Sequence, residues 1–172
     1  MKNTEVIIGI VVKTDKVKEA DVRVRILTAA GLKTVTAVGA LKPNAKLKSA
    51  VQLFTIAEFS VIGHKLVGAH VLQTNHNITK DIKRFYLACA ICEVVAQCHG
   101  AGFLLTARVL EALDHLGEDH SVTPAACHRG IFTEYFSKLL MELGYDIESD
   151  VDLNTAYMRY LDIKIPNTKY FL

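Results

Sequence analysis

Apolar and polar positions alternate with a period of two through roughly the first 75 residues and recur at helical spacing after that. Val6 to Thr14 (VIIGIVVKT) is a near-continuous β-branched run, which predicts a strand buried on both faces. Asp15 to Asp21 is charged and predicts a turn. Val22 to Thr28 places Val22, Val24 and Ile26 on one face and Arg23 and Arg25 on the other, the mark of a half-buried strand. A short turn at Ala30-Gly31 leads to a second strand over Lys33 to Leu41, where Gly39 predicts a bulge or a barrel corner. A basic loop follows around Pro43. Val51 to Ile62 and Leu66 to Thr74 predict two more strands, joined at Gly63-His64-Lys65. Five strands without an intervening helical repeat fit a small closed barrel.

The pattern changes at Asn75. Ile82, Phe85, Tyr86, Cys89, Cys92, Val95 and Ala96 share one helical stripe, with Asn77 or Thr79 as candidate cap and Gly100 as the end. A second helix is expected from about Phe103 to Leu116, stopping at Gly117. A third starts at Thr123, with Pro124 at its first position, and runs through Phe132, Phe136, Leu139, Leu140 and Leu143 to Gly144. Asn154 to Leu161 reads as a short helix and Ile163 to Leu172 as extended. The fold expected is therefore α+β: an N-terminal five-stranded barrel over residues 1–76, followed by an α-helical domain over residues 77–172.

Charge separates these halves. Residues 1–80 carry 12 Lys+Arg against 5 Asp+Glu, a balance of +7, while residues 81–172 carry 8 against 13, a balance of −5. The net charge of +2 hides this asymmetry. It suggests a basic domain for a polyanion and an acidic domain with another task. The candidate nucleic-acid contacts are Lys13, Arg23, Arg25, Lys33, Lys42, Lys46 and Lys48, because cations on one barrel face neutralise phosphates. Their alternative is an ordinary solvated strand face. The chain has no tryptophan and the hairpin no aromatic residue, so stacking contributes little and binding is expected to be electrostatic and blind to sequence.

Other chemistry is weaker. With 51% apolar residues, disorder is not expected over most of the length. No apolar run approaches a membrane span, and no secretory signal is evident. The four cysteines sit in apolar or helical surroundings rather than in a disulfide framework, which suits a reducing cytoplasm. Cys89-Ala90-Ile91-Cys92 is a C-x-x-C, but it falls in mid-helix on an apolar stripe. Buried core thiols are expected there, since a redox pair needs a helix N-terminus. His115, His120, Cys127 and His128, near Asp114, Glu118 and Asp119, are zinc-ligand types at spacings that match no structural zinc pattern. No phosphate-cradling loop, nucleophile elbow or H-E-x-x-H is present, so neither enzyme activity nor a cofactor is expected.

The chain resembles the bacterial recombination mediator RecO. The likeness is carried by Ile8-Gly9-Ile10-Val11-Val12-Lys13-Thr14, Glu19-Ala20-Asp21, Ile26-Leu27-Thr28, Gly31, Val38-Gly39-Ala40-Leu41-Lys42-Pro43, Leu47-Lys48 and Gln52-Leu53-Phe54. In the helical half it is carried by Tyr86-Leu87-Ala88, Glu93-Val94, Phe136, Leu139-Leu140 and Leu143-Gly144-Tyr145. It covers roughly residues 6–146. The resemblance implies an OB-fold followed by a helical domain, and a non-enzymatic role in recombinational DNA repair. Such proteins bind and anneal single-stranded DNA. They help load the recombinase together with RecR-like and RecF-like proteins, and they bind the acidic tail of single-strand-binding protein. That tail needs a cation beside an apolar pocket. Lys83, Arg84, Arg108 and Arg129 are the available cations, with Phe85, Leu104, Leu105, Val109, Phe132 and Phe136 as candidate apolar lining. The chain departs from the family at Leu41, where basic residues are common. It also departs after Gly144-Tyr145, where Asp146-Ile147-Glu148-Ser149-Asp150 replaces a cysteine-rich segment, so no zinc module is expected. Two alternatives stay open: a scaffold for recombination partners with little DNA affinity, and an OB-type RNA-binding protein.

Overall fold

In the computed structural model, residues 3–97, 103–117, 134–135 and 137–142 are described. Five strands, β1 (Glu5–Lys16), β2 (Val22–Thr28), β3 (Gly31–Ala37), β4 (Ile56–Ile62) and β5 (Lys65–Gln73), close into a barrel in the order β1-β2-β3-β5-β4. All neighbours are antiparallel except β3 and β5, which meet in parallel at Thr36 and Lys65. A bond from the Thr36 N–H to the His64 carbonyl (2.8 Å) seals that seam. Closure removes free strand edges, which are otherwise templates for aggregation. The helical residues are α1 (His76–Lys80), α2 (Ile82–Gln97) and α3 (Phe103–Gly117), with further helix at 134–135 and 137–142.

The barrel interior follows the expected alternation. Val22, Val24, Ile26, Val35, Ala37, Phe59, Val61 and Leu66 all point inward and are buried. A bulge in β1 between Val11 and Lys13 changes the register against β2. Before it, Val11 pairs with inward Ile26. After it, Thr14 pairs with inward Val24, so Lys13 and Asp15 turn outward opposite Arg25 and Arg23. Gly9 is required on the same strand, because a Cβ there would collide with the Leu27 carbonyl oxygen.

Several sequence expectations need correction. β1 is buried on both faces only over Gly9–Val12, and Val6 and Ile8 are exposed. β3 stops at Ala37 rather than Leu41. Gly39 is in a turn with φ +69°, and its N–H is taken by the Asp21 carboxylate (2.8 Å) instead of a neighbouring strand. β4 starts at Ile56, not Val51. Residues Val38–Thr55 form one long connection whose Ala40, Leu47, Ala50, Val51 and Leu53 join the barrel's interior cluster. Phe54, the next to last residue of the connection, has φ 65° and a fully buried ring. Its N–H donates to the Val11 carbonyl (2.9 Å), and the Asn75 side-chain amide donates to its own carbonyl (3.2 Å). Apolar alternation through Val51-Gln52-Leu53-Phe54 therefore reflects a plug, not a ladder.

In the helical residues, Asp81 rather than Asn77 or Thr79 caps α2. Its Oδ1 accepts the N–H groups of Lys83 (2.8 Å) and Arg84 (3.1 Å). Ile82, expected on the buried stripe, is exposed, while Leu87, Ala88, Ala90, Ile91, Cys92, Val94, Val95 and Ala96 are all buried. α3 follows its predicted span, ending one residue later, at Gly117. The third helix start at Thr123-Pro124, its Phe132, Leu143 and Gly144, and the segments beyond Asp150 lie outside the described residues. Among the described residues, one compact unit comprises those up to Asn75 with those from Val95 to Thr106, and a second comprises His76–Val94 with those from Ala107 on. No helix among them is long and apolar enough to cross a membrane.

Candidate nucleic-acid interface

The outer face of the β2–β3 hairpin is organised in rows set by register. Asp15, Arg23 and Thr36 are opposed across β1, β2 and β3, and Thr36 is in turn opposed to Lys65 of β5. The next row holds Lys13, Arg25 and Thr34. Arg23, Thr34 and Lys65 are exposed, and Lys13, Asp15 and Thr36 are half-buried. Lys65 was absent from the cations expected on sequence grounds because it stands at a turn, with nothing local to show that β5 joins β3.

The two hairpin arginines are not equivalent. Arg23 is exposed. Arg25 is half-buried, and its Nη1 donates to the Ala96 carbonyl at 2.6 Å. Ala96 lies in the last turn of α2, whose carbonyls have no partner within the helix. A guanidinium there satisfies one of them and complements the negative end of the helix dipole. The Arg25 Nε is buried without a partner. The Val95–Thr106 part of this unit touches the barrel again where the Thr106 hydroxyl donates to the Thr28 carbonyl (2.9 Å). Ile10 and Leu27, paired across β1 and β2 on the face opposite Val11 and Ile26, are both fully buried. This part of the outer surface is therefore covered, and Arg25 belongs to the covered part.

Lys33 also differs from its expected place. It pairs with Ile26, an inward residue, and its ammonium forms an ion pair with Glu5. Lys42, Lys46 and Lys48 are exposed on the long connection. That connection is held to the β1–β2 turn by the Leu41 N–H donating to the Ala20 carbonyl (3.0 Å) and by the Gly39–Asp21 bond. Lys16, at the end of β1 rather than in the charged turn expected over Asp15 to Asp21, and Lys18 of the turn are also exposed. Only two aromatic residues, Phe54 and Phe59, occur before Asn75, and both are fully buried. The barrel thus presents cations and hydroxyls without a stacking surface.

Of the four cations considered for partner docking, Lys83 is exposed, Arg84 is buried, and Arg129 lies outside the described residues. Arg108 bridges Glu142 (2.8 Å) and Glu111 (3.0 Å), which holds its guanidinium pKa above the ordinary value and that of Glu111 below. Phe85 is half-buried and Val109 buried, while the side chains of Leu104, Leu105, Phe132 and Phe136 lie outside the description. His115 Nδ1 lies 2.9 Å from both the Glu111 carbonyl and the Tyr135 hydroxyl. This network joins α3 to the helical residues at 134–142. No cluster of three metal-ligating side chains occurs among the described residues, and His120, Cys127 and His128 fall outside them. Cys92 is buried and Cys89 half-buried, and both are free thiols. Burial, with Glu93 adding to it, pushes the Cys89 thiol up to about 11. Burial also raises the Cys92 thiol pKa, and the neighbouring Cys89 adds to that. Neither is poised as a nucleophile at neutral pH.

Residues 1–71 match the family model of the recombination protein O N-terminal domain. The barrel is therefore the part of the chain that is similar to the RecO N-terminal domain. The match runs from the chain start to Val71, within β5, and so takes in the β2–β3 face and the basic connection. The barrel is an OB-fold, and the resemblance seen in the sequence holds over it. The helical residues lie beyond the match, and no curated protein matches the chain.

Proposed function

We propose that the RecO barrel of this chain binds single-stranded DNA through its phosphates, as the nucleic-acid-binding part of a recombination mediator without enzymatic activity. The observation that carries this is the set of exposed cations on a closed OB barrel. Arg23 and Lys65 lie on the β2–β3–β5 face, with half-buried Lys13 beside them, and Lys42, Lys46 and Lys48 lie on the connection that plugs the barrel. OB-folds use the strand 2–3 face and its bordering loops for oligonucleotides. With both barrel phenylalanines buried, affinity comes from counterion release and not from stacking, and is blind to sequence. In the cell, the same surface would neutralise complementary strands for annealing. The helical residues would dock RecR-like and RecF-like proteins and the acidic tail of single-strand-binding protein, with Lys83 as the exposed cation of the described set.

The experiment is fluorescence anisotropy on two unrelated oligonucleotides across a salt series. Replacing Lys46 and Lys48 by alanine is expected to weaken both complexes alike. The slope of log affinity against log salt should fall by about 0.7 for each phosphate no longer neutralised. Melting should be unchanged, because exposed charges matter by less than about 0.5 kcal/mol. An unchanged slope in a folded double variant would move weight to the scaffold alternative, which gains support from the engagement of Arg25 and Lys33 within the protein. Competition between matched DNA and RNA strands distinguishes the RNA-binding alternative.

A further inference from the structure

The row that crosses the β2–β3 face contains one residue of the wrong sign for a phosphate. Asp15 is directly opposed to Arg23 in the β1–β2 register. Directly opposed residues have Cβ atoms about 4.5–5.5 Å apart and share a face. Asp15 is on this face because of the bulge at Val12. Had the register of Gly9, Ile10 and Val11 continued, Asp15 would oppose the inward Val22. Bulges re-aim side chains in this way, and a position produced by one is a built feature of the strand. The carboxylate is half-buried on this face, and no ion pair holds it among the described residues. From Arg23 the row continues through the Thr36 hydroxyl to the Lys65 ammonium, with His64 exposed in the adjoining turn.

We infer that Asp15 is a built-in attenuator of the phosphate site at Arg23–Thr36–Lys65, holding single-strand affinity below what the cations alone would give. This inference rests on the binding function proposed above. A carboxylate opposite Arg23 competes with a phosphate for the guanidinium, so its effect acts through Arg23. A protein that must release its strand gains from such a weakening, since dissociation rates carry most affinity differences among variants of one interface.

The test is a double-mutant cycle read by anisotropy with a single-stranded oligonucleotide at low and moderate salt. Asp15→Asn keeps the side chain's shape and is expected to tighten binding about two- to fivefold at low salt, the range of one exposed charge pair. The gain should shrink as salt rises. In an Arg23→Ala background the same substitution should have no effect. Glu58→Gln removes the same charge from the outer face of β4, between Ile8 and His70, and should leave affinity unchanged. Asp15→Ser serves as a second variant if the asparagine form melts early. Equal tightening by Glu58→Gln, or a gain that survives Arg23→Ala, would show a net-charge effect and overturn the inference while leaving the binding function intact. No tightening in a folded, binding-competent Asp15→Asn chain would overturn it as well. An unsubstituted chain that binds no oligonucleotide at low salt would overturn both.

Discussion

Arg23 and Arg25 stand two residues apart on one strand and look interchangeable in the sequence, yet the structure gives them opposite tasks, and alanine substitution should separate them. Arg25→Ala removes a hydrogen bond from a charged donor to the Ala96 carbonyl at 2.6 Å. Such bonds contribute about 1.5–3 kcal/mol. Loss of a cation at a helix C-terminus removes about 0.3–1 kcal/mol more. Against this, the substitution also removes the buried, unpartnered Nε, whose desolvation costs about 1–3 kcal/mol in the folded state. The stem of Arg25 packs as well, and its loss adds to the cost. The balance is a destabilisation of about 1–2 kcal/mol, or roughly 5–10 °C in melting temperature for a unit of this size. Oligonucleotide affinity extrapolated to the folded protein should hold its salt slope. Arg23→Ala should do the reverse: melting unchanged within about 0.5 kcal/mol, and a slope lower by about 0.7. Thermal melts by circular dichroism and anisotropy across a salt series read both quantities on both variants. If Arg25→Ala melts like the unsubstituted chain and loses slope as Arg23→Ala does, the assignment of Arg25 to the end of α2 is wrong.

Two further outcomes follow from the core. Gly9→Ala should lower the urea midpoint by the equivalent of about 1–3 kcal/mol with an unchanged m-value, because the new Cβ meets backbone at Leu27 and cannot be relieved by rotating a side chain. Cys89 should resist alkylation near pH 8 in the folded chain and react on unfolding. Its folded pKa of about 11 exceeds the ordinary 9.0 of an open thiol, so above pH 9 the unfolded chain releases a proton that the folded chain keeps. This contribution to stability is whole below pH 9 and is lost as pH rises from 9 toward 11, which urea titrations at stepped pH will show as a falling midpoint.

Local pattern was enough for what depends on local pattern. Period-two alternation in Val22–Thr28 named a strand whose bounds the structure reproduces, and helical spacing with a stop at Gly117 named α3. Five strands and a family likeness led to the closed OB barrel, and the basic character of the hairpin and its following loop was plain from composition. What the sequence left open depends on which distant residues meet. Alternation in Val51–Phe54 suits a strand or a plug equally well, and the choice fell to the left-handed Phe54, bonded to Val11 and Asn75. A lysine or arginine among several cations carries no sign of being already engaged. Arg25 finds Ala96 across 71 positions, and Lys33 finds Glu5 around the barrel. Lys65 reaches the β2–β3 face only because β5 closes on β3, and Asp15 opposes Arg23 only because one extra residue at Val12 shifts the ladder. Side-chain type and spacing are properties of the chain; charge that remains available to a ligand is a property of the register and closure that bring its neighbours to it.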